Sequence, residues 1–252
     1  MAASFYKMFG QTQDKLLLLF LILSLATVSD SFCPLACDCN EVALSVSCAS
    51  RQLEVLPITL NPGIHRLQLQ QNNIQAVDAA LGFYAKLHYV DLSNNQLISL
   101  PDRGFIQQKK LIELRLTNNK IFKVSNSTFD GLKTVTILSL RKNFLEELTG
   151  SVFSSLTLVE ELDLGQNRIK SIDSKAFAGL EHLRVLYLDD NDLQNVPSKA
   201  LGPLPHLAEL NLALNNIKEC LKCSTKRNIK GLTFYKTVVC FHLILCSLKS
   251  FP

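Results

Sequence analysis

The sequence predicts an α/β repeat fold, a solenoid of short parallel strands joined by returning outer segments and stacked along one axis. Three observations carry that reading. Leucine accounts for 47 of 252 residues. Asn72, Asn95, Asn119, Asn143, Asn167, Asn191 and Asn215 recur at a spacing of 23 and then of 24 five times. Four cysteines crowd into 16 residues just ahead of this ladder. A leucine excess of this size points to internal repetition, which decides the architecture before any single element does.

The elements follow in chain order. Lys7 and Lys15 precede an apolar run from Leu16 to Val28, with small residues at Thr27, Ser29 and Ser31. The run is too short for a comfortable bilayer span of about 20 residues and has the flanks of a secretory signal. Residues 1–31 are therefore expected to be a signal peptide cleaved near Ser29 to Ser31, with an uncleaved anchor as the rival reading. Export places the cysteines in an oxidising compartment, where disulfides are the default. Residues 32–63, with Cys33, Cys37, Cys39 and Cys48, read as a cap over the open apolar edge of a first strand. Two disulfides there allow three connectivities, and a zinc knuckle is the rival.

Residues 64–217 hold seven repeats of about 24 residues. Leu67-x-Leu69-x-x-Asn72-x-Ile74 recurs as Val90-x-Leu92-x-x-Asn95-x-Leu97 and onward to Leu210-x-Leu212-x-x-Asn215-x-Ile217. An apolar residue opens each unit, from Ile64 to Leu207. This LxxLxLxxNxL frame is the leucine-rich repeat pattern. With period 2, the two leucines point to one face of a short strand and the x residues to the other. One repeat cannot bury its leucines alone, so stacked repeats share a core and a parallel sheet. The Asn amide has donors and an acceptor, and is expected to pair backbone groups buried where the chain turns inward. A second ladder, Leu81, Phe105, Phe129, Phe153, Phe177 and Leu201, reads as the outer core spine, with Leu132, Leu156, Leu180 and Leu204 three residues on.

On these motifs, over about residues 33–217, the chain resembles the extracellular leucine-rich repeat proteins with a cysteine-rich N-terminal cap. That group includes the Toll, Slit and Nogo-receptor ectodomains. The resemblance implies Cys33–Cys39 and Cys37–Cys48 disulfides. The chain departs from it at the other end, because family members close with a tryptophan-containing cap and this chain has no Trp. Residues 218–252 read as a basic, cysteine-containing tail with Cys220, Cys223, Cys240 and Cys246. The competing readings are a divergent cap, a non-homologous end from splicing or gene prediction, and a metal site.

Charge divides unevenly. The net +4 places −3 on residues 30–217 and +6 on residues 218–252. No basic stripe covers the body, so nucleic acid is not an expected partner. Few charges overall, with high apolar content, exclude a disordered chain. No G-x-S-x-G, P-loop, G-x-G-x-x-G or H-E-x-x-H is present. His65 with His88, and His182 with His206, share columns in adjacent repeats, but no third ligand is expected to join either pair. No enzyme activity, cofactor or metal is expected, nor a membrane span in the mature chain. Asn126-Ser127-Thr128 is the N-x-S/T sequon, and Asn126 is the expected glycan acceptor.

The expected recognition face is the concave sheet. Its first column is Arg66, Tyr89, Glu113, Ile137, Glu161, Val185 and Glu209. The second is Gln68, Asp91, Arg115, Ser139, Asp163, Tyr187 and Asn211. The third is Gln70, Ser93, Thr117, Arg141, Gly165, Asp189 and Ala213. These columns vary while the frame does not. Glu161, Asp163, Asp189 and Glu209 read as an acidic zone beside Arg115 and Arg141, with Tyr89, Ile137, Val185 and Tyr187 as apolar anchors. The expected function is a secreted or cell-surface-associated, non-catalytic recognition module that binds an extracellular protein ligand or receptor. The alternative is a truncated or spliced form of a membrane receptor ectodomain.

Overall fold

The computed structural model describes residues 33–77 and 79–217. The expected signal peptide and the tail with its four cysteines lie outside the described residues. Eleven strands occur among those described: β1 (Asp38–Asn40), β2 (Ser45–Ser47), β3 (Arg66–Gln68), β4 (Tyr89–Asp91), β5 (Glu113–Arg115), β6 (Ile137–Ser139), β7 (Glu147–Leu148), β8 (Glu161–Asp163), β9 (Ser171–Ile172), β10 (Val185–Tyr187) and β11 (Glu209–Asn211). One sheet runs β1-β2-β3-β4-β5-β6-β8-β10-β11, and β7 pairs with β9 separately. Only the β1–β2 pair is antiparallel. The register joins Arg66 to Tyr89, Tyr89 to Glu113 and so on to Glu209, so the columns expected from the 24-residue period are real neighbours.

The seven repeat strands are present, and the cap adds two more. Val46 pairs with Leu67. The cap is thus a degenerate repeat, Val46-x-Cys48-x-x-Arg51-x-Leu53, with Cys48 in a leucine slot and fully buried. The cysteines pair Cys33–Cys39 and Cys37–Cys48. The second bridge ties the antiparallel hairpin to the core, which closes the edge that β3 would otherwise expose.

The outer side is built mostly of turns. It contains one short 3-10 segment (Ala79–Phe83) and one helical turn, α1 (Ser198–Leu201). Phe105, Phe129, Phe153 and Phe177 are fully buried in one file. The rings of Phe129, Phe153 and Phe177 stack at 5.7 and 6.1 Å, against about 4.8 Å per step on the strand side. One repeat therefore advances further on the phenylalanine side, and the stack bends with the sheet on its inner, concave side.

The Asn ladder works as its chemistry requires. Asn143 is typical: its Oδ1 accepts from the Ile121 N–H, and its Nδ2 donates to the carbonyls of Leu116, Leu140 and Arg141. The residue before each Asn takes a left-handed backbone, at Gln71, Asn94, Asn118, Lys142, Gln166, Asp190 and Leu214, with φ between 53° and 60°. That kink swings the Asn inward. Residues this varied leave no sequence signature for it.

Candidate functional site

The strands of the nine-stranded sheet are three residues long, so each repeat strand presents its first and third residue, and the residue two further on, away from the leucine core. The face divides into two clusters with different physics.

In the N-terminal half, Tyr89 is the centre. The Arg66 guanidinium lies 3.5 Å over its ring centroid, and Arg115 approaches the ring to 5.8 Å. The Tyr89 hydroxyl donates to Asp91 Oδ2 at 3.2 Å, and Asp91 Oδ1 accepts from the Ser93 N–H. Burial first, then the Asp91 charge, pushes the Tyr89 phenol above its ordinary value. Arg115 Nε donates to Glu113 Oε1. Asp91 is buried and committed to this support, while Tyr89, Arg66 and Arg115 present the surface.

In the C-terminal half, Arg141 reaches across two repeats. It meets Asp189 through two hydrogen bonds, of 3.1 and 2.7 Å, and Asp163 through one of 3.2 Å. Gly165 lies beneath the bridge. A Cβ on it would sit 2.2 Å from Arg141 Nη1 and 2.7 Å from Asp189 Oδ1, so only glycine leaves the guanidinium its path. The Asp189 hydrogen bonds chiefly hold Arg141 charged. Burial is the largest influence on Asp163 and pushes its carboxyl up, against the Gly165 N–H and Arg141. Arg141 is thus satisfied mainly by Asp189, and Asp163 is the member that burial penalises.

This arrangement divides the four acids of the expected acidic zone into two that pair with Arg141 and two that do not. Asp163 and Asp189 are not free for a partner, because they hold Arg141 in place. Of these four acids, Glu161 and Glu209 have no ion pair, and Glu209 is hydrogen-bonded to Tyr187. Burial first, then Asp163, raises Glu161. Between them stands Tyr187, half-buried, its phenol raised by burial and by the Glu209 and Glu161 charges. Ile137 and Val185 are half-buried beside them.

The histidine pairs hold no metal set. His65 and His88 meet edge to face at 4.7 Å, and His182 Nδ1 contacts the Thr157 carbonyl. No group of three His, Cys, Asp or Glu converges among the described residues. None of the described helices is long and apolar enough to cross a membrane. Asn126 is exposed on the outer side and lies against Gly150, while Thr128 is buried and accepts from the Ser125 N–H.

Comparisons with known proteins agree with this geometry. The leucine rich repeat family pattern matches at residues 85–141, 109–169 and 133–193. Human oligodendrocyte-myelin glycoprotein is 39% identical over 85 residues, covering 34% of this chain and 19% of that protein. Mouse leucine-rich repeat-containing protein 52 is 34% identical over 90 residues, covering 35% of this chain and 28% of that protein. The matches thus span only 19% to 28% of these relatives. Among solved structures, a TLR13–ssRNA13 complex aligns with TM-score 0.54 at 23% identity, covering 67% of this chain and 27% of that one. That likeness concerns the fold alone. Residues 85–193 thus match the leucine-rich repeat family, and the buried Asn ladder and in-register sheet give the described residues a leucine-rich repeat fold with a disulfide-tied N-terminal cap.

Proposed function

We propose that the chain is a secreted, non-catalytic recognition module that binds an extracellular protein on the concave face of its sheet, in adhesion, matrix or receptor–ligand signalling. The observation that carries the reading is the pair of prepared aromatic anchors. Tyr89 is clamped between Arg66 and Arg115, and Tyr187 stands between Glu161 and Glu209. They lie four strand steps apart, about 19 Å, within the reach of a standard interface. Neighbours hold both rings in place, which lowers the entropy lost on binding. The disulfide cap and the likeness to a myelin glycoprotein support an extracellular setting. Asn126, on the outer side, is the proposed glycan acceptor and leaves the concave face clear.

The test is a screen of the full chain against extracellular proteins, repeated with Tyr89→Ala, Tyr187→Ala and Glu161→Lys/Glu209→Lys. Removal of an anchor should weaken a true partner about 30-fold. A partner held equally well by all three variants defeats the concave-face reading. Recovery of the protein from culture medium, with its N-terminus near Ser29 to Ser31, tests secretion separately.

A further inference from the structure

The outer side of repeats two to four carries positive charge that the composition hides. A cleft of about 610 Å³ opens there, lined by the cations Arg103, Lys109 and Lys133 and by the single acid Asp130. Asp130 is already engaged, since its Oδ1 accepts from the Ser155 hydroxyl at 2.8 Å and its Oδ2 faces Arg103 Nε at 3.5 Å. Lys109 and Lys133 are exposed, stand 24 residues apart in one column, and have no carboxylate partner among the described residues. The ridge continues toward the N-terminus. Lys110 follows Lys109 and is felt at His88, whose ring is held below its ordinary value by burial, then by His65 and Lys110. Lys86 is the preceding column-mate of Lys110 and is also exposed. The acids of residues 79–115 are spoken for: Asp91 by Tyr89 and Ser93, Asp102 by Ser125, and Glu113 by Arg115.

Four lysines over three successive repeats, Lys86 one repeat from Lys110 and Lys109 one repeat from Lys133, form a short linear cationic track on a body of net charge −3. A compact anion would need one converging pocket. A track fits a linear polyanion, whose released counterions drive binding. Isoleucine Ile106 is the only large apolar side chain in the cleft lining, which contains no aromatic, so it offers no platform for stacked bases. We propose that Lys109 and Lys133, flanked by Lys86, Lys110 and Arg103, form a binding track for a sulfated polysaccharide, separate from the concave protein-binding face. The choice of a polysaccharide rests on the extracellular reading above. The track itself does not, because binding to purified glycan is measured wherever the protein resides.

The probe is immobilised heparin with the full chain in solution across a range of salt. Lys109→Ser/Lys133→Ser should weaken binding about tenfold and reduce the salt slope, as expected for two lost anion contacts. Lys109→Arg/Lys133→Arg should bind like wild type. The basic tail competes for the same probe, so Lys226→Ser/Arg227→Ser serves as comparator and Lys120→Ser/Lys123→Ser as surface control. Both should shift binding less than twofold. The proposal fails if the cleft variant binds like wild type, or if the tail pair accounts for the loss. It also fails if desulfated heparin or single-stranded RNA competes as well as native heparin.

Discussion

Asn143 has its amide pointed at the backbone, and its value is set by what would be stranded without it. Asn143→Leu keeps the branched outline but leaves the buried Ile121 N–H without its acceptor, while the carbonyls of Leu116, Leu140 and Arg141 keep Asn119 Nδ2, Asn167 Nδ2 and the Asn118 N–H as donors. A buried unpaired group costs about 1–3 kcal/mol, so a loss of that order is expected from denaturant unfolding. Asn143→Asp should fare no better, since a carboxylate accepts the N–H but repels the carbonyls. Gln108 is the opposite case. It occupies the slot that Leu132, Leu156 and Leu180 fill in later repeats, is fully buried, and has its Oε1 unpaired. Its Nε2 donates to the Leu81 carbonyl, which also accepts from the Tyr84 N–H. Gln108→Leu leaves that carbonyl a partner and should stabilise the protein by about 1 kcal/mol, read as a higher denaturant midpoint. In this column the leucine ladder is legible in the sequence only from Leu132 onward. The two earlier slots, Tyr84 and Gln108, are polar and reveal themselves as core only through burial. Tyr84 is accommodated there by donating its hydroxyl to the Pro57 carbonyl at 2.6 Å.

Short strands have little stability alone, and their order comes from neighbours on each side. The Arg141 bridge adds a tie across β6, β8 and β10. Burial raises the Asp163 carboxyl in the folded state, so the native protein holds that proton more tightly than the unfolded chain does. Its contribution to stability is therefore present at low pH and lost as pH rises through the raised value. Asp163→Asn removes that loss, can keep accepting the Gly165 N–H, and leaves Arg141 on Asp189. The variant should be more stable than wild type at pH 7, with the gap closing below about pH 4. If it is instead less stable at pH 7, the Arg141–Asp163 attraction outweighs the burial cost. No periodic reading of the sequence finds this bridge, because Arg141 and Asp189 are 48 residues apart and Gly165 looks like one more variable position. The cap strand was also hidden. Its frame is offset from the first repeat by 21 residues and carries Cys48 and Arg51 where leucine and asparagine are expected.

At the scale of the whole molecule, each repeat touches mainly its neighbours, so stability approximates a sum over units and interfaces. Removal of residues 85–108, one whole repeat, should leave a cooperatively folding protein with a lower melting temperature. A 12-residue deletion from the same region sets inward residues against outward ones and should abolish folding. Circular dichroism melts separate the two outcomes. The same lattice explains why the two proposed surfaces coexist. The concave side reads out the strand positions, and the outer side reads out the turn that precedes each strand.

The repeat period is written in the amino-acid order, and it dictates the sheet register, the leucine and phenylalanine columns and the Asn pairing. Those follow from local spacing, which is one-dimensional and survives on the page. Which residues of the face are paired emerges from the folded stack. It committed Asp91, Asp163 and Asp189 to internal partners, left Glu161 and Glu209 without an ion pair, and set Lys109 beside Lys133 over a cleft. The physical reason is that charge pairing depends on side-chain reach across two or three repeats. Side-chain reach is a property of the stacked molecule, whereas the repeat frame is a property of each unit.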